Sequence, residues 1–367
     1  MSFGARALIR LGALEHNLDV IRAAAPGCRV MAVVKANAYG HGLVPVATHL
    51  KAADSFAVAR IGEAERLRAA GIEQPIVLLE GVWTHEQLLV VERQAFEIVV
   101  HSPEQIDLLE AERTASFTVW LKFDTGMNRL GFALDDAAGL IARLSRCPSV
   151  GELRLMTHLS SADLLDNPAT RFQLDRFQPI VEGFEGAISI ANTPATLAWP
   201  ESSADAAALG HHGDTWIRPG IALFGISPFR DQTGEELGLK PVMQLEARII
   251  AVKHLAAGAR VGYHGRYTSD VESTLGIIAA GYGDGYTRHF RTGTPVLVNG
   301  RRVPLIGNVS MDMIAVDLGP GASDRVGDVA LLWGTELPVE EVAVWADTIP
   351  YELVCGVMNR EASEVVD

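Results

Sequence analysis

Up to about residue 230, the chain alternates short apolar, β-branched runs with segments of helical period. Apolar residues recur at helical spacing in LEHNLDVIRAAA and PEQIDLLEAER, which lie between such runs. Continuous apolar strands that alternate with helices predict a parallel sheet covered by helices. The runs with the character of buried strands occupy residues 29–37, 55–61, 75–81, 96–102, 117–124, 153–160 and 187–193.

The number of these units favours a closed barrel. Roughly eight strand–helix units in about 230 residues is the size of a (β/α)8 TIM barrel. An open doubly wound sheet is the competing fold. The first strand-to-helix loop lacks the GxGxxG fingerprint, which disfavours the open sheet without excluding it.

The pattern changes after about residue 235. The runs QLEARIIAVKHL, TLGIIAAGYG, TPVLVNG and DVALLWG are strand-like, and PVEEVAVWADT is the one helical stretch. Asn299-Gly300 lies between two apolar runs and predicts a tight hairpin turn. We therefore expect an α/β protein with an N-terminal TIM barrel over residues 1–234 and a mostly antiparallel C-terminal β domain over residues 235–367.

Composition and charge exclude several classes of protein. The 367 residues carry a formal net charge of −14, and nucleic-acid binding needs a basic face. No apolar run approaches the ~18 residues that span a bilayer, and the first residues lack a signal-peptide core. Three separated cysteines without a CxxC pair predict reduced thiols and no metal site. We expect a cytoplasmic protein without nucleic-acid or membrane partners.

The first candidate for chemistry is Lys35, in the string VVKANAYGHG. It lies where an apolar strand leaves the predicted barrel and a glycine-containing turn begins. A lysine at a strand end usually extends its charge into solvent. At the carboxyl mouth of a barrel, however, a partly desolvated lysine can form a Schiff base with a carbonyl cofactor, because its pKa shifts readily on burial.

The string VVKANAYGHG resembles the cofactor-lysine motif of alanine racemases. Further motifs similar to that family follow in order along both predicted domains: LKFDTGMNRLGF, MTHLSSAD, IRPGIALFGISP, VGYHGRYTS, GYGDGY and SMDMIAVDLG. The resemblance implies a barrel plus a β domain, pyridoxal 5′-phosphate as cofactor, alanine as substrate and a homodimer with composite active sites.

Racemisation needs two bases on opposite sides of the substrate Cα. The resemblance implies that Lys35 is one base and that Tyr263, donated by the second subunit, is the other. Populating a free phenolate at pH 7 costs roughly 4 kcal/mol, which nearby positive charge or hydrogen-bond donors must offset. His158 and Arg218 resemble the residues that link to the tyrosine.

The resemblance also implies roles for further residues. Arg218 faces the pyridine nitrogen, and because an arginine keeps its proton, the ring stays a weak electron sink. Arg129 meets the substrate carboxylate, and Lys122, which is often carbamylated in the family, holds Arg129 in place. The other cofactor-binding positions are Tyr39, His158, Asn192, Thr193, Gly220 and Ile221. Met311 and Asp312 line the substrate pocket, and Asp163, Tyr282 and Arg288 form its entrance.

The chain departs from the family pattern at three positions. Asn359 stands where many members have tyrosine, His264 where glycine is common and Phe224 where tyrosine is frequent. These departures concern the details of the pocket rather than the reaction class.

Three other functions remain open. Decarboxylases of the same architecture place a carboxylate against the pyridine nitrogen, which the arginine of RPGIALFG disfavours. A non-catalytic cofactor carrier predicts a lone barrel, without the domain that carries Tyr263. A racemase for serine or another small amino acid differs in pocket volume, which the sequence does not give. The sequence also leaves open whether D-alanine is made for peptidoglycan or alanine is catabolised.

Overall fold

We analysed a computed structural model of the protein, which describes residues 3–112, 114–358, 360 and 364–366. The chain forms two compact units. The barrel unit comprises Glu15–Ala38 and Leu43–Leu223. The β unit comprises Met1–Leu14, Tyr39–Gly42 and Phe224–Asp367.

The helices and strands of the described residues are numbered here in chain order. The strands are β1 (Arg6–Arg10), β2 (Arg29–Val33), β3 (Ser55–Val58), β4 (Ile76–Leu78), β5 (Phe96–Val100), β6 (Phe117–Lys122), β7 (Val150–Met156), β8 (Ile188–Ser189), β9 (Trp216–Ile217), β10 (Met243–Leu255), β11 (Arg260–Val261), β12 (Tyr267–Thr268), β13 (Ser273–Ile278), β14 (Pro295–Val298), β15 (Arg301–Ile306), β16 (Ile314–Asp317), β17 (Val329–Trp333) and β18 (Glu364–Val366). The α-helices are α1 (Gly12–Ala24), α2 (Leu43–His49), α3 (Ile61–Ala69), α4 (His85–Gln94), α5 (Pro103–Ala111), α6 (Ala137–Ser145), α7 (Ala169–Val181), α8 (Thr193–Ala198), α9 (Val339–Val344) and α10 (Pro350–Cys355).

The barrel unit contains a parallel eight-stranded sheet in the order β8-β7-β6-β5-β4-β3-β2-β9. A parallel bridge between Ile188 and Thr215 joins the two ends of the sheet and closes the barrel. Residues of the central strands, among them Phe56 and Trp120, are fully buried. These strands therefore read as continuous apolar runs, because both of their faces are covered. The predicted TIM barrel is confirmed.

The strands end earlier than the apolar runs predict. β2 ends at Val33 and β7 at Met156, whereas the runs extend to residues 37 and 160. The extra residues form the loops at the carboxyl edge of the barrel. Active sites of TIM barrels lie at this edge, so the ends of the runs carry the candidate chemistry.

The β unit is an antiparallel barrel with two added strands. The long strand β10 pairs with β17 through its first half and with β13 through its second half. The order β13-β16-β15-β14-β17-β10 therefore closes on itself, and β1 and β18 extend the sheet beside β10. The predicted mostly antiparallel domain is confirmed. Asn299 and Gly300 have φ values of 48° and 74° between β14 and β15, which confirms the hairpin turn.

The N-terminal strand was not expected in this unit. The sequence-based boundary at residue 234 assigns Arg6–Arg10 to the barrel domain, whereas β1 pairs with β10 and β18. Its alternating burial fits a strand with one covered face.

Among the described residues, no helix has the length and apolar character needed to cross a membrane.

Candidate active site

Lys35 lies two residues after β2 and begins a single left-handed turn. The next four residues, from Ala36 to Tyr39, have φ values of 53–55°. Each L-residue in this conformation costs roughly 1–2 kcal/mol. Strain of this kind concentrates at functional sites, where surrounding contacts hold the backbone in one geometry.

Two side chains hold the left-handed turn within the barrel unit. Glu63 accepts a hydrogen bond from the Ala36 amide at 2.7 Å, and its other oxygen accepts from the amides of Ala59 and Arg60 at 3.0 and 3.1 Å. The Asn37 side-chain oxygen accepts from the Leu43 amide at 3.1 Å. The carboxylate of Glu63 therefore ties the residue after Lys35 to the loop that follows β3.

Lys122 is the last residue of β6 and is buried among cations. Burial, followed by the charges of Arg218, Arg129 and Lys35, lowers its pKa from 10.5 to about 7. Asp124 acts in the opposite direction but is the smallest of these influences. The Lys122 amine is therefore substantially neutral near pH 7.

Arg218 follows β9 and is buried, with 4% of its surface exposed. Its guanidinium donates to the carbonyls of Thr157 and Ile190 at 2.6 and 3.1 Å and to the Ser189 hydroxyl. Burial lowers its pKa to about 9, which leaves it a cation at neutral pH. The ends of β7, β8 and β9 thus hold one fixed positive charge.

His158 lies beside this cation. Its Nδ1 is 3.4 Å from Arg218 Nη2, and its Nε2 is 3.4 Å from Asn192 Nδ2. Burial and then the charge of Arg218 lower the pKa of His158 well below its ordinary value. The imidazole is therefore neutral, and its Nδ1 can accept from Arg218.

Four further predicted cofactor-binding positions lie near Arg218 in the barrel unit. The Gly220 amide donates to the Thr193 hydroxyl at 2.8 Å. Asn192 precedes α8, accepts from the Ala195 amide at 3.3 Å and forms a parallel bridge with Arg218. Ile221 follows Gly220 in the chain and starts a 3-10 turn. These contacts place a hydroxyl and backbone groups next to the Arg218 cation.

Arg129 and Asp163 lie on exposed loops of the barrel unit. The Arg129 loop returns to β6 at Phe132, whose amide donates to the Lys122 carbonyl at 2.9 Å. Within the loop, Asp124 accepts from the amides of Gly126 and Asn128 at 2.9 and 3.1 Å. The charge of Arg129 acts on both Lys122 and His158. No hydrogen bond within the described residues links Asp163 to the other predicted site residues.

The remaining predicted residues belong to the β unit. Tyr39 is buried there, with its ring 5.1 Å from that of Phe224, and burial raises its pKa. Phe224 therefore provides apolar packing for Tyr39. Asn359, a predicted departure from the family pattern, lies outside the described residues.

Two turns of the β unit carry four of the predicted pocket and entrance residues. The Tyr282 amide donates to the Ser310 carbonyl at 3.0 Å, and Arg288 donates to the Val309 carbonyl at 2.9 Å. Met311 and Asp312 are exposed on the second turn. The structure therefore brings together, within the β unit, four residues that the sequence predicts for the substrate pocket and its entrance.

Tyr263 occupies a third turn of this unit. Its side chain is 64% exposed, and Asn308 donates to its carbonyl at 3.2 Å. His264 follows with a φ of 62°, a conformation that glycine adopts without strain. This backbone explains why glycine suits the position that His264 occupies.

Comparison with known proteins identifies the family. Residues 9–228 match the model of the alanine racemase N-terminal domain, and residues 242–365 match that of the C-terminal domain. The chain is 49% identical over 364 residues to an alanine racemase from Vibrio atlanticus, with 99% of each chain covered. The chain belongs to the alanine racemase family. An alanine racemase from Aeromonas hydrophila is 48% identical, with 98% of this chain and 99% of the relative covered.

Solved alanine racemase structures agree with this membership. The biosynthetic alanine racemase from Pseudomonas aeruginosa superposes with a TM-score of 0.93 at 39% identity, and 100% of both chains are covered. The alanine racemase from Acinetobacter baumannii gives a TM-score of 0.91 at 36% identity, again with full coverage of both. The predicted family, fold and enzyme class, an amino-acid racemase and thus an isomerase, are confirmed.

Several supporting residues of this alanine racemase family member are not apparent from its sequence motifs. Glu63, Asn308 and Arg360 hold backbone or charged groups of the candidate site, and Arg360 donates to Asp312 at 2.7 Å and to Asp284 at 3.2 Å. None of them lies beside its target in the sequence. Glu63 accepts from the Arg60 amide at the start of α3, but an arginine at residue 60 is not the Ser or Thr of a capping box, so the local sequence carried no signal for Glu63.

Proposed function

We propose that this member of the alanine racemase family interconverts L- and D-alanine with pyridoxal 5′-phosphate held by Lys35. The observation that carries the proposal is the arrangement at the carboxyl end of the barrel. There, the buried Arg218 cation contacts the neutral His158, next to the Thr193 hydroxyl and the Gly220 amide. Family membership implies this cofactor and this substrate.

The residues present fit an anionic cofactor. Four cations, Lys35, Lys122, Arg129 and Arg218, act as like charges on one another or on His158, and Asp124 opposes them at Lys122. A phosphorylated ligand would offset this repulsion. The Thr193 hydroxyl and the backbone around Gly220 supply neutral donors suited to a phosphate. Lys35 supplies the amine, and we assign Tyr39, Asn192 and Ile221 to the same cofactor site.

The proposed reaction needs one proton removed from Cα and one returned to the opposite face. When bound, the cofactor withdraws electrons from Cα and so acidifies its proton. Lys35 Nζ takes or returns the proton on one face, and the Tyr263 hydroxyl does so on the other. Arg129 is assigned to the substrate carboxylate, with Met311 and Asp312 lining the pocket and Asp163, Tyr282 and Arg288 at its entrance.

Arg218 favours racemisation over decarboxylation. A buried cation with a pKa of about 9 holds its proton at neutral pH, so it can only donate to a ring nitrogen, and its charge disfavours a proton there. With the pyridine nitrogen of the cofactor held by Arg218, that nitrogen would stay unprotonated, and the electron-withdrawing power of the ring would stay low. This limits the side reactions that a stronger electron sink allows.

We further propose that Lys122 is carbamylated. Its lowered pKa of about 7 supplies a neutral amine, which adds to CO2 to form a carbamate and release one proton. The product replaces a cation by an anion among Arg129, Arg218 and Lys35. An anion at this position can hold Arg129 by charge-assisted hydrogen bonds.

The proposed active enzyme is a homodimer whose two sites each combine Lys35 of one subunit with Tyr263 of the other.

We also propose a domain boundary near residue 234. The two family models, which end at residue 228 and start at residue 242, are compatible with a boundary there.

Borohydride reduction and product chirality test the proposal together. Reduction of the yellow holoenzyme should fix the cofactor to the peptide that contains Lys35, and labelling of a different lysine would contradict the assignment.

To test the substrate, L-alanine, L-serine and a larger L-amino acid should be assayed side by side. Alanine is expected to give the fastest inversion, and faster inversion of serine would move the substrate assignment to serine.

A further inference from the structure

The turn that carries Tyr263 has an unusual backbone. It connects β11 to β12, and Gly262, His264 and Gly265 have φ values of 71°, 62° and 53°. The Gly265 amide donates to the Gly262 carbonyl at 3.1 Å. Of these three residues only His264 has a side chain, and because a non-glycine residue with positive φ is disfavoured, contacts must hold it in this conformation.

Three successive carbonyls of this turn accept hydrogen bonds from side chains. Arg260 Nη2 donates to the His264 carbonyl at 2.8 Å, and its Nε donates to the Gly265 carbonyl at 3.2 Å. Asn308 Nδ2 donates to the Tyr263 carbonyl at 3.2 Å. One guanidinium therefore spans the two residues that follow Tyr263, and hydrogen bonds from a charged donor are stronger than neutral ones.

Close packing fixes the Arg260 side chain on the turn. A Cβ added to Gly265 would lie 2.4 Å from Arg260 Nε and 2.8 Å from its guanidinium carbon. The absence of a side chain at residue 265 lets the guanidinium reach both carbonyls. The exposed Arg260 side chain therefore lies directly against Gly265.

The hairpin itself does not depend on Arg260. Val261 is buried with Leu255 and Ile306, and Tyr267 packs against this cluster. These apolar contacts anchor both strands of the hairpin. Replacement of Arg260 is therefore expected to alter the turn while β11 and β12 stay in place.

We infer that Arg260 is a positioning residue for racemisation, which fixes the direction of the Tyr263 hydroxyl by holding the backbone of the turn. This inference rests on the proposed function of Tyr263 as one of the two bases. It assigns to Arg260 no contact with the substrate. Replacement of Arg260 is expected to slow proton transfer between Cα and Tyr263, and not proton transfer between Cα and Lys35.

The test compares Arg260→Met with Arg260→Lys, and with Arg266→Met as the matched control. Arg266 is exposed in the same hairpin, and no hydrogen bond between its guanidinium and the three carbonyls is found in the part of the chain that the structure describes. Amide hydrogen exchange of the cofactor-free proteins should show faster exchange at Gly265 in Arg260→Met, and little change in Arg266→Met.

The holoenzymes should differ in kcat rather than KM. For Arg260→Met we expect kcat to fall about 10- to 100-fold, the loss that a misplacement on the order of 1 Å produces. Arg260→Lys, whose ammonium is a compact point charge, should recover part of this loss. Exchange of the Cα proton with solvent should fall for the enantiomer that Tyr263 serves and persist for the other.

Tyr263→Phe, measured in parallel, tests the two-base assignment separately from the role of Arg260. If Tyr263→Phe exchanges both enantiomers equally, the two-base assignment in the proposed function fails. If Tyr263→Phe exchanges one enantiomer only, while Arg260→Met matches Arg266→Met in exchange and kcat, the role of Arg260 is overturned. Equal loss of exchange from both enantiomers in Arg260→Met would also overturn it, because the effect would then not act through Tyr263.

Discussion

At the scale of single residues, the candidate site is defined by cations that lower one another's affinity for protons. Lys122 and His158 both have lowered pKa values, with burial as the largest cause and neighbouring positive charges next. Arg218 stays protonated because its pKa of about 9 is still above neutrality. The site therefore combines neutral bases with fixed cations at the same pH.

The charge on Lys122 should destabilise the protein. Its folded pKa of about 7 lies below the ordinary value of 10.5, so the unfolded chain binds more protons between these pH values. The free energy of unfolding should therefore rise with pH across this interval. In cofactor-free protein at pH 6 without CO2, Lys122→Met is expected to stabilise the fold by about 1–4 kcal/mol.

Thermal unfolding at several pH values checks this prediction. Lys253→Met, at an exposed position of β10, is the control and should change stability by less than about 0.5 kcal/mol. Added bicarbonate should raise the Tm of the wild type, by replacing the charged amine with a carbamate, and should leave Lys122→Met unchanged. A Tm of the wild type that does not respond to bicarbonate would contradict carbamylation.

At the scale of elements, the left-handed turn after β2 sets where Lys35 points. Its strain must be offset by contacts, and the Glu63 carboxylate accepts from three amides around it. Helix α3 thus does more than cover the barrel, because its first turn presents Glu63 to the strained segment.

Glu63→Gln should loosen this turn. The amide keeps one acceptor oxygen but turns a donor toward an N–H group, and hydrogen bonds to a charged group contribute about 1.5–3 kcal/mol. We expect a lower urea midpoint and weaker retention of the cofactor. Glu65→Gln on the exposed side of α3 is the control and should resemble the wild type. Identical cofactor retention in the two variants would show that Glu63 does not hold the site.

At the scale of the whole molecule, the candidate bases belong to different units. Lys35 is part of the barrel unit and Tyr263 part of the β unit. The proposed composite site of a homodimer makes a quantitative prediction for mixed subunits. Two-fold symmetry gives two sites, each with Lys35 from one subunit and Tyr263 from the other. A heterodimer of a Lys35 variant and a Tyr263 variant therefore carries one doubly altered site and one intact site.

Mixing inactive Lys35→Ala with inactive Tyr263→Phe should therefore restore activity. Random exchange gives roughly half heterodimers, each with one working site, so about a quarter of wild-type activity should return. Differently tagged subunits measure the exchange itself. Confirmed exchange without any recovered activity would mean that both bases come from one chain.

The sequence by itself determined the elements and the family. Apolar runs with helical segments between them specified the barrel, because a strand that is buried on both faces has apolar side chains at consecutive positions. Asn299-Gly300 specified its hairpin, because both residues adopt positive φ. Lys35 and the motifs in both domains were recognisable as short strings, and they led to the family that the comparisons confirm.

The tertiary structure alone decided what depends on distant contacts. The pairing of β1 with β10 joins residues more than 200 positions apart, and no local pattern specifies such a partner. The lowered pKa of Lys122 arises from burial and from charges on three other loops. The left-handed turn consists partly of alanine, a residue that does not favour this conformation, so it depends on Glu63 and Asn37. Sequence patterns record local preferences, whereas these features follow from groups that meet only after folding.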